Sequence, residues 1–192
     1  MCCVLLTFSI AAAEALACPT GAARKEQKTA AARETWCAKP DGTRHGPRHA
    51  WHQNGKPWFE GEYADGKRTG AWRFWFQSGA PMASATYADD KADGLMTRFF
   101  ESGGKEMEGV CRAGEAHGRF VRYLPNGKED VVATFDAGKV VGAPQYFSRR
   151  GKPVDLTTYL TEKNPGIVSG SDKFQKLVAA AKPEAVFVEC RN

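Results

Sequence analysis

Gly46, Gly70, Gly94, Gly118 and Gly142 stand 24 residues apart without exception, and Gly55, Gly79, Gly103, Gly127 and Gly151 keep the same interval. A third column, Gly42, Gly66, Gly114 and Gly138, has Asp90 at its one gap. Composition alone does not register three glycine columns, and self-similarity at a fixed period of this length marks a repeat architecture. One such unit cannot bury an apolar face by itself, so each must lean on its neighbours.

Aromatic residues follow the same period. Trp51, Trp75, Phe99, Tyr123 and Phe147 form one column, and Tyr63, Tyr87, Cys111 and Phe135 form another, which turns the Cys111 side chain inward. Short aromatic runs between glycine-bearing turns suit strands better than helices. In the clearest unit Gly70–Phe76 is a strand, Gln77-Ser78-Gly79 a turn, and Pro81–Tyr87 the returning strand. Asp65-Gly66-Lys67 makes the other kind of turn, and Asn54-Gly55 and Asn126-Gly127 are hairpin signals in which both residues tolerate positive φ. Trp72, Phe74, Trp75 and Phe76 do not alternate, so rings sit on both faces or a bulge intervenes. The glycine opening each first strand is expected to let a neighbouring ring lie over bare backbone. The fold expected is all-β: an elongated, single-layer antiparallel meander of tandem hairpins over residues 38–153, closed by a small α+β cap at 154–192.

Glu60-Gly61-Glu62-Tyr63-Ala64-Asp65-Gly66-Lys67, followed by Gly70-Ala71-Trp72-Arg73-Phe74-Trp75-Phe76-Gln77-Ser78-Gly79, resembles the MORN-variant repeat of bacterial proteins, many of them labelled YwqK-type antitoxin components. The resemblance covers roughly residues 38–153, with the second unit nearest the pattern. It implies a binding or scaffold module without a catalytic site, and the antitoxin label implies a toxin-neutralising role.

Residues Val4–Ala13 are apolar, and Ala15-Leu16-Ala17 has the small-x-small pattern of a signal-peptidase site, so residues 1–17 are read as an export signal. Met1-Cys2-Cys3 lacks the usual basic start, and Ala15 stands where lipidation of Cys18 would want leucine. Cleavage would leave Cys18, Cys37, Cys111 and Cys190, which allow three pairings. Cys18 with Cys37 is the first expectation, and Cys111 with Cys190 follows by elimination. Residues 18–37 are expected to be a mobile, charged leader held by its two cysteines. Within the cap, Ser171 can N-cap a helix carrying Phe174, Leu177, Val178 and Ala181 on one face, Pro183 ends it, and Ala185–Cys190 reads as a strand. That cap is expected to cover the last edge of the array.

His45, His49 and His52 invite a metal reading, but His45 aligns with His117 beside a column glycine, and His49 and His52 fit no ligand motif. Asp65, Asp89 and Asp90 fall in linking turns, and Ser102-Gly103-Gly104 reads as a hairpin turn and not a phosphate loop. No nucleophile motif or cofactor signature stands out. Arg73, Arg98, Arg119 and Arg122 beside aromatics could mimic a nucleic-acid platform, but the rings are explained as repeat core. The net charge is +5, or +6 once Glu14 is removed, with both signs interleaved, which permits weak contact with anionic lipid or polymer. The function expected is a non-catalytic exported repeat protein, periplasmic or in the envelope, presenting a sheet surface to a protein partner.

Overall fold

The computed structural model describes residues 16–181 together with Cys190. Six strands make its first half: β1 (Ala23–Lys28), β2 (Ala32–Ala38), β3 (Arg44–His52), β4 (Pro57–Ala64), β5 (Lys67–Trp75) and β6 (Pro81–Ala88). Seven follow: β7 (Lys91–Ala92), β8 (Gly94–Phe99), β9 (Lys105–Arg112), β10 (Glu115–Tyr123), β11 (Glu129–Asp136), β12 (Lys139–Phe147) and β13 (Pro153–Val154). Helices α1 (Leu156–Lys163) and α2 (Asp172–Ala180) close the described chain. The strands form one antiparallel sheet in sequence order, with only β7 off the path. The tandem-hairpin meander is therefore the fold.

Two turn types alternate along the sheet's two rims. On one rim, the pairs Asp65-Gly66, Asp89-Asp90, Ala113-Gly114 and Ala137-Gly138 each have positive φ at both residues, the geometry of a type I′ turn. Each second residue donates its N–H to a carbonyl one unit back, on Arg44, Arg68, Ala92 or Ala116, at 2.7–3.0 Å. On the other rim, Gly55, Gly79, Gly103, Gly127 and Gly151 take φ between 77° and 92° and close each loop by donating three residues back. Asn54 and Asn126 are not at positive φ, contrary to expectation. They act through their side chains, each Oδ1 accepting from the N–H two residues on. Asn54 Nδ2 donates to the Gln77 carbonyl at 2.7 Å and Asn126 Nδ2 to that of Arg149 at 3.2 Å. Lys56 Nζ reaches the Ser78 carbonyl at 2.5 Å, and Lys128 Nζ that of Arg150 at 2.8 Å. Both rims are thus laddered from unit to unit.

The aromatic column Trp51, Trp75, Phe99 and Tyr123 sits where the register slips, between Ala50/Trp51, Phe74/Trp75, Arg98/Phe99 and Arg122/Tyr123. A bulge is therefore what breaks the alternation of Phe74 and Trp75. Phe147, the fifth member, faces Pro153 across the last strand pair.

The column glycines do a different job from the one expected. A Cβ built at Gly70, Gly118 or Gly142 would meet nothing within 4 Å, so no ring lies over them; they are needed for φ values of 65°, 73° and 74°. Gly46 lies under Pro19 and Gly94 beside Thr86. Rings cover a different pair: a Cβ at Gly61 would fall 2.2 Å from the Trp72 indole, and one at Gly109 2.3 Å from the Phe120 ring. These belong to a further column of small buried residues, Cys37, Gly61, Ala85, Gly109 and Ala133. Its 24-residue spacing was available in the sequence.

The leader is ordered as a hairpin, not loose. β1 and β2 pair from Ala23↔Ala38 to Lys28↔Arg33, and the Thr29 hydroxyl accepts from the N–H groups of Ala31 and Ala32 to shape their turn. β2 alternates over its second half: Thr35 and Cys37 are buried, and Glu34 and Trp36 between them are only half-buried. Cys18 bonds to Cys37 across 19 residues, as expected. Constraining a loop of that length stabilises a fold by about 3 kcal/mol in the chain-entropy account. Replacing both cysteines with serine should lower unfolding stability by about that much in a denaturant titration. An unchanged midpoint would show that the staple is dispensable.

The cap lies across a face of the sheet and not over its edge, so the C-terminal half has two layers where a single one was expected. Cys190 bonds to Cys111 on β9, well inside the sheet. Tyr159, Leu160 and Phe174 join Phe120, Val131, Ala133 and Phe135 in one buried cluster. Among the described residues the last edge receives the two residues of β13, whose Pro153 has no N–H to offer a further strand. Ser171 caps α2 by accepting from the Phe174 N–H at 3.2 Å, as its sequence position suggested. Helix α1 was not anticipated; Asp155 caps it, accepting from the Thr158 N–H at 2.9 Å. The strand expected over Ala185–Cys190 lies outside the described residues apart from Cys190, as do residues 1–15 of the export signal.

Candidate functional site

Direct cross-strand partners share a face, and one row can be followed over most of the sheet: Phe59, Phe74, Ala83, Arg98, Met107, Arg122, Val131 and Tyr146. The cap covers the end of this row, where the Tyr146 and Tyr159 rings lie 5.1 Å apart. From β4 to β6 no segment among the described residues covers the row.

Trp72 anchors the open half. It is 3% exposed, and the rings of Phe59, Tyr63, Phe74 and Tyr87 surround it at 5.3–6.1 Å. Its buried indole N–H meets no acceptor among the described residues, so ring packing alone holds it, against a cost of about 1–3 kcal/mol. Beside it a groove of about 360 Å³ runs between Phe74, Ala83, Tyr87, Met96 and Arg98. Arginines stack on the rim rings: Arg44 over Tyr63 at 5.5 Å, Arg48 over Phe59 at 4.8 Å and Arg68 over Tyr87 at 4.2 Å. The open face is therefore aromatic at its centre and lined with arginines along its margin, where Arg48 pairs with Glu34 and Arg68 with Asp90.

The repeat changes composition where the cap begins. The column that reads Arg44 and Arg68 continues as Ala92, Ala116 and Val140, and the one that reads Tyr63 and Tyr87 continues as Cys111 and Phe135. Ala92 and Ala116 are 3% and 4% exposed, so the guanidinium is lost in the units that pack under the cap. At the cap's edge Asp130, 3% exposed, accepts from Arg122 Nε at 3.0 Å and pairs with Lys163 Nζ at 2.8 Å. Tyr159 joins this group, accepting from Arg122 Nη2 at 2.6 Å, and burial pushes its hydroxyl up to about 12. Burial, followed by the Glu108 carboxylate to which it donates, likewise raises Tyr123 to about 12.

The residues weighed for chemistry are dispersed. His45 Nδ1 faces the Asp65 carboxylate at 3.0 Å, His117 faces Asp136 at 3.4 Å, and His52 Nε2 lies 3.1 Å from the Trp75 carbonyl. No group of three His, Cys, Asp or Glu side chains converges among the described residues. Asp90 holds the Arg68 N–H and Nε, and Lys39, hydrogen-bonded to Asp65, keeps that carboxyl below its ordinary range. Arg73, Arg98, Arg119 and Arg122 are paired with Glu60, Glu106, Glu129 and Asp130. Ser102-Gly103-Gly104 is a hairpin turn, with φ of 92° and 76° at its glycines. Two disulfides in a chain of this size indicate an oxidising, extracytoplasmic environment. No helix among the described residues is long and apolar enough to cross a membrane.

No family model matches the chain, and no curated protein matches it significantly. Among solved structures it is similar to part of the crystal structure of TarM, at 10% identity and a TM-score of 0.33, over 64% of this chain and 21% of that one. It is also similar to part of a glycosylation-associated protein (Gap123) complex from Streptococcus agalactiae, at 15% identity and a TM-score of 0.31, over 56% and 20%. The chain thus spans about a fifth of the structures it matches.

Proposed function

We propose that this chain is a non-catalytic, MORN-type repeat protein of the cell envelope or periplasm, exported by cleavage after Ala17, that seats a partner protein on its open aromatic face. The observation that carries this reading is the contrast between the two halves of one face. Over β9–β12 the chain's own cap sits on the repeat rings. Over β4 and β5 equivalent positions carry Phe59, Trp72 and Phe74 with no covering segment among the described residues. Aromatic residues flanked by arginine are the residue types that anchor protein interfaces.

The test is a photo-crosslinking amino acid placed at Ala83, in the open row, or at Leu95, which is 58% exposed and points the other way. In intact cells position 83 should give a discrete adduct and position 95 none. Equal labelling from both positions would remove the face from the account. Loss of the adduct on raising salt would favour the competing reading, attachment to an anionic lipid or envelope polymer, because dispersed cations are screened within about 8–10 Å at such ionic strengths.

A further inference from the structure

We propose that the cleft between the cap and the sheet is a binding site for a small amphipathic carboxylate, with an apolar body and one anionic head. The cleft is open to solvent and has a volume of about 300 Å³, at the lower end of the range that small-molecule sites occupy. Its walls are Val131 and Tyr146 from the sheet and Leu160 and Leu177 from the helices, with Arg122 and Lys163 at one corner.

The charges at that corner do not cancel. One buried carboxylate, Asp130, meets two cations: Arg122 Nη2 at 2.9 Å on one oxygen and Lys163 Nζ at 2.8 Å on the other. The cluster therefore keeps one net positive charge, and both cations still reach the cleft, with side chains 31% and 28% exposed. Arg122 spends Nε and Nη2 on Asp130 and Tyr159, which leaves Nη1 of the guanidinium fork for a ligand. Lys163 pairs with Asp130 by charge and makes no hydrogen bond to its Oδ1, so its ammonium donors are available to a ligand. A carboxylate placed there would neutralise the surplus charge through charge-assisted hydrogen bonds. Its apolar body would lie along Val131, Leu160 and Leu177, which a free inorganic anion would leave unused. Asp130 serves as the fixed counter-charge that keeps both cations in place.

Calorimetric titration of the full exported chain tests this, with decanoate as the probe and decanol as its uncharged counterpart. Decanoate should bind, and decanol about tenfold more weakly or less. Lys163→Met should weaken decanoate by about tenfold, and Lys163→Arg should restore it. Leu177→Trp, which fills the cleft without touching the charges, should abolish binding while leaving the melting temperature near that of the parent. Equal affinity for decanoate and decanol would overturn the charge argument. Undiminished binding in Leu177→Trp, or no binding of decanoate at millimolar concentration, would overturn the site. Should Lys163→Met fail to fold, the alcohol comparison and Leu177→Trp still decide.

Discussion

Deleting Gly70–Asp93 should leave a folded, soluble chain, whereas deleting only Gly70–Pro81 should produce one that aggregates. The first deletion removes one whole 24-residue period and joins Thr69 to Gly94, so every column stays in register. The shortened array keeps both rims. Its type I′ turn at Asp65-Gly66 would be followed by a strand of the same kind as the one lost, and the Cys111–Cys190 bond is kept, while Gly61 and Arg68 take the places of Ala85 and Ala92 beside the cap. Stability should fall by one unit and one interface, because nearest-neighbour contacts carry such arrays. The half-unit deletion fuses the start of β5 to β6 and sets return-strand residues against β4. The bulges then no longer match and the two turn types collide on one rim. Gel filtration and circular dichroism on both chains would settle it. A well-folded half-unit deletion would mean that the hairpin is not the repeating element.

Gly109→Val should cost about 3–5 kcal/mol, the second largest effect, because a branched side chain there displaces the fully buried Phe120 ring. Gly118→Val should cost less, about 1–3 kcal/mol, since only backbone strain at φ 73° opposes it. The exposed Lys176→Ala should be neutral. Lys128→Ala is a poor neutral control, because its amine bonds the Arg150 carbonyl and its chain lies over Gly151. The preceding unit suggests a rescue. Ala85 and Met96 stand where Gly109 and Phe120 stand one unit later. Gly109→Ala combined with Phe120→Met should therefore be more stable than Gly109→Ala alone. Strictly additive free energies for the two changes would sink the claim that ring and glycine are coupled.

The period was the most legible feature of this sequence, because glycines at positive φ leave a strict mark and tolerate few substitutes. Turn positions, the inward Cys111 and the helix at Ser171 could be read the same way. The ring-bearing glycines were harder, since Gly61 and Gly109 alternate with Ala85 and Ala133 and the column is visible only as small residues. Hairpin β1–β2 was hidden by a charged outer strand, every residue of which is exposed. Such an edge discourages further strand pairing, and its composition resembles that of a linker. Placement of the cap on a face was implicit in the expected Cys111–Cys190 pair and the inward Cys111, but the local pattern of the cap segment does not show it. The cluster at Asp130 joins β10, β11 and α1, elements whose spacing has no period to reveal it.

The change from Arg44 and Arg68 to Ala92 and Ala116 also bears on how a chain like this can lengthen over generations. Tandem genes grow by unequal exchange, which copies a unit wholesale. A second copy of the unit holding Trp72 would bring its own arginine rim and add to the open face in soluble form. A second copy of the unit holding Phe120 would bring alanines and an uncovered ring, and the single cap can shelter only one such stretch. Growth is therefore confined to the N-terminal side, and the cap fixes where the series must stop.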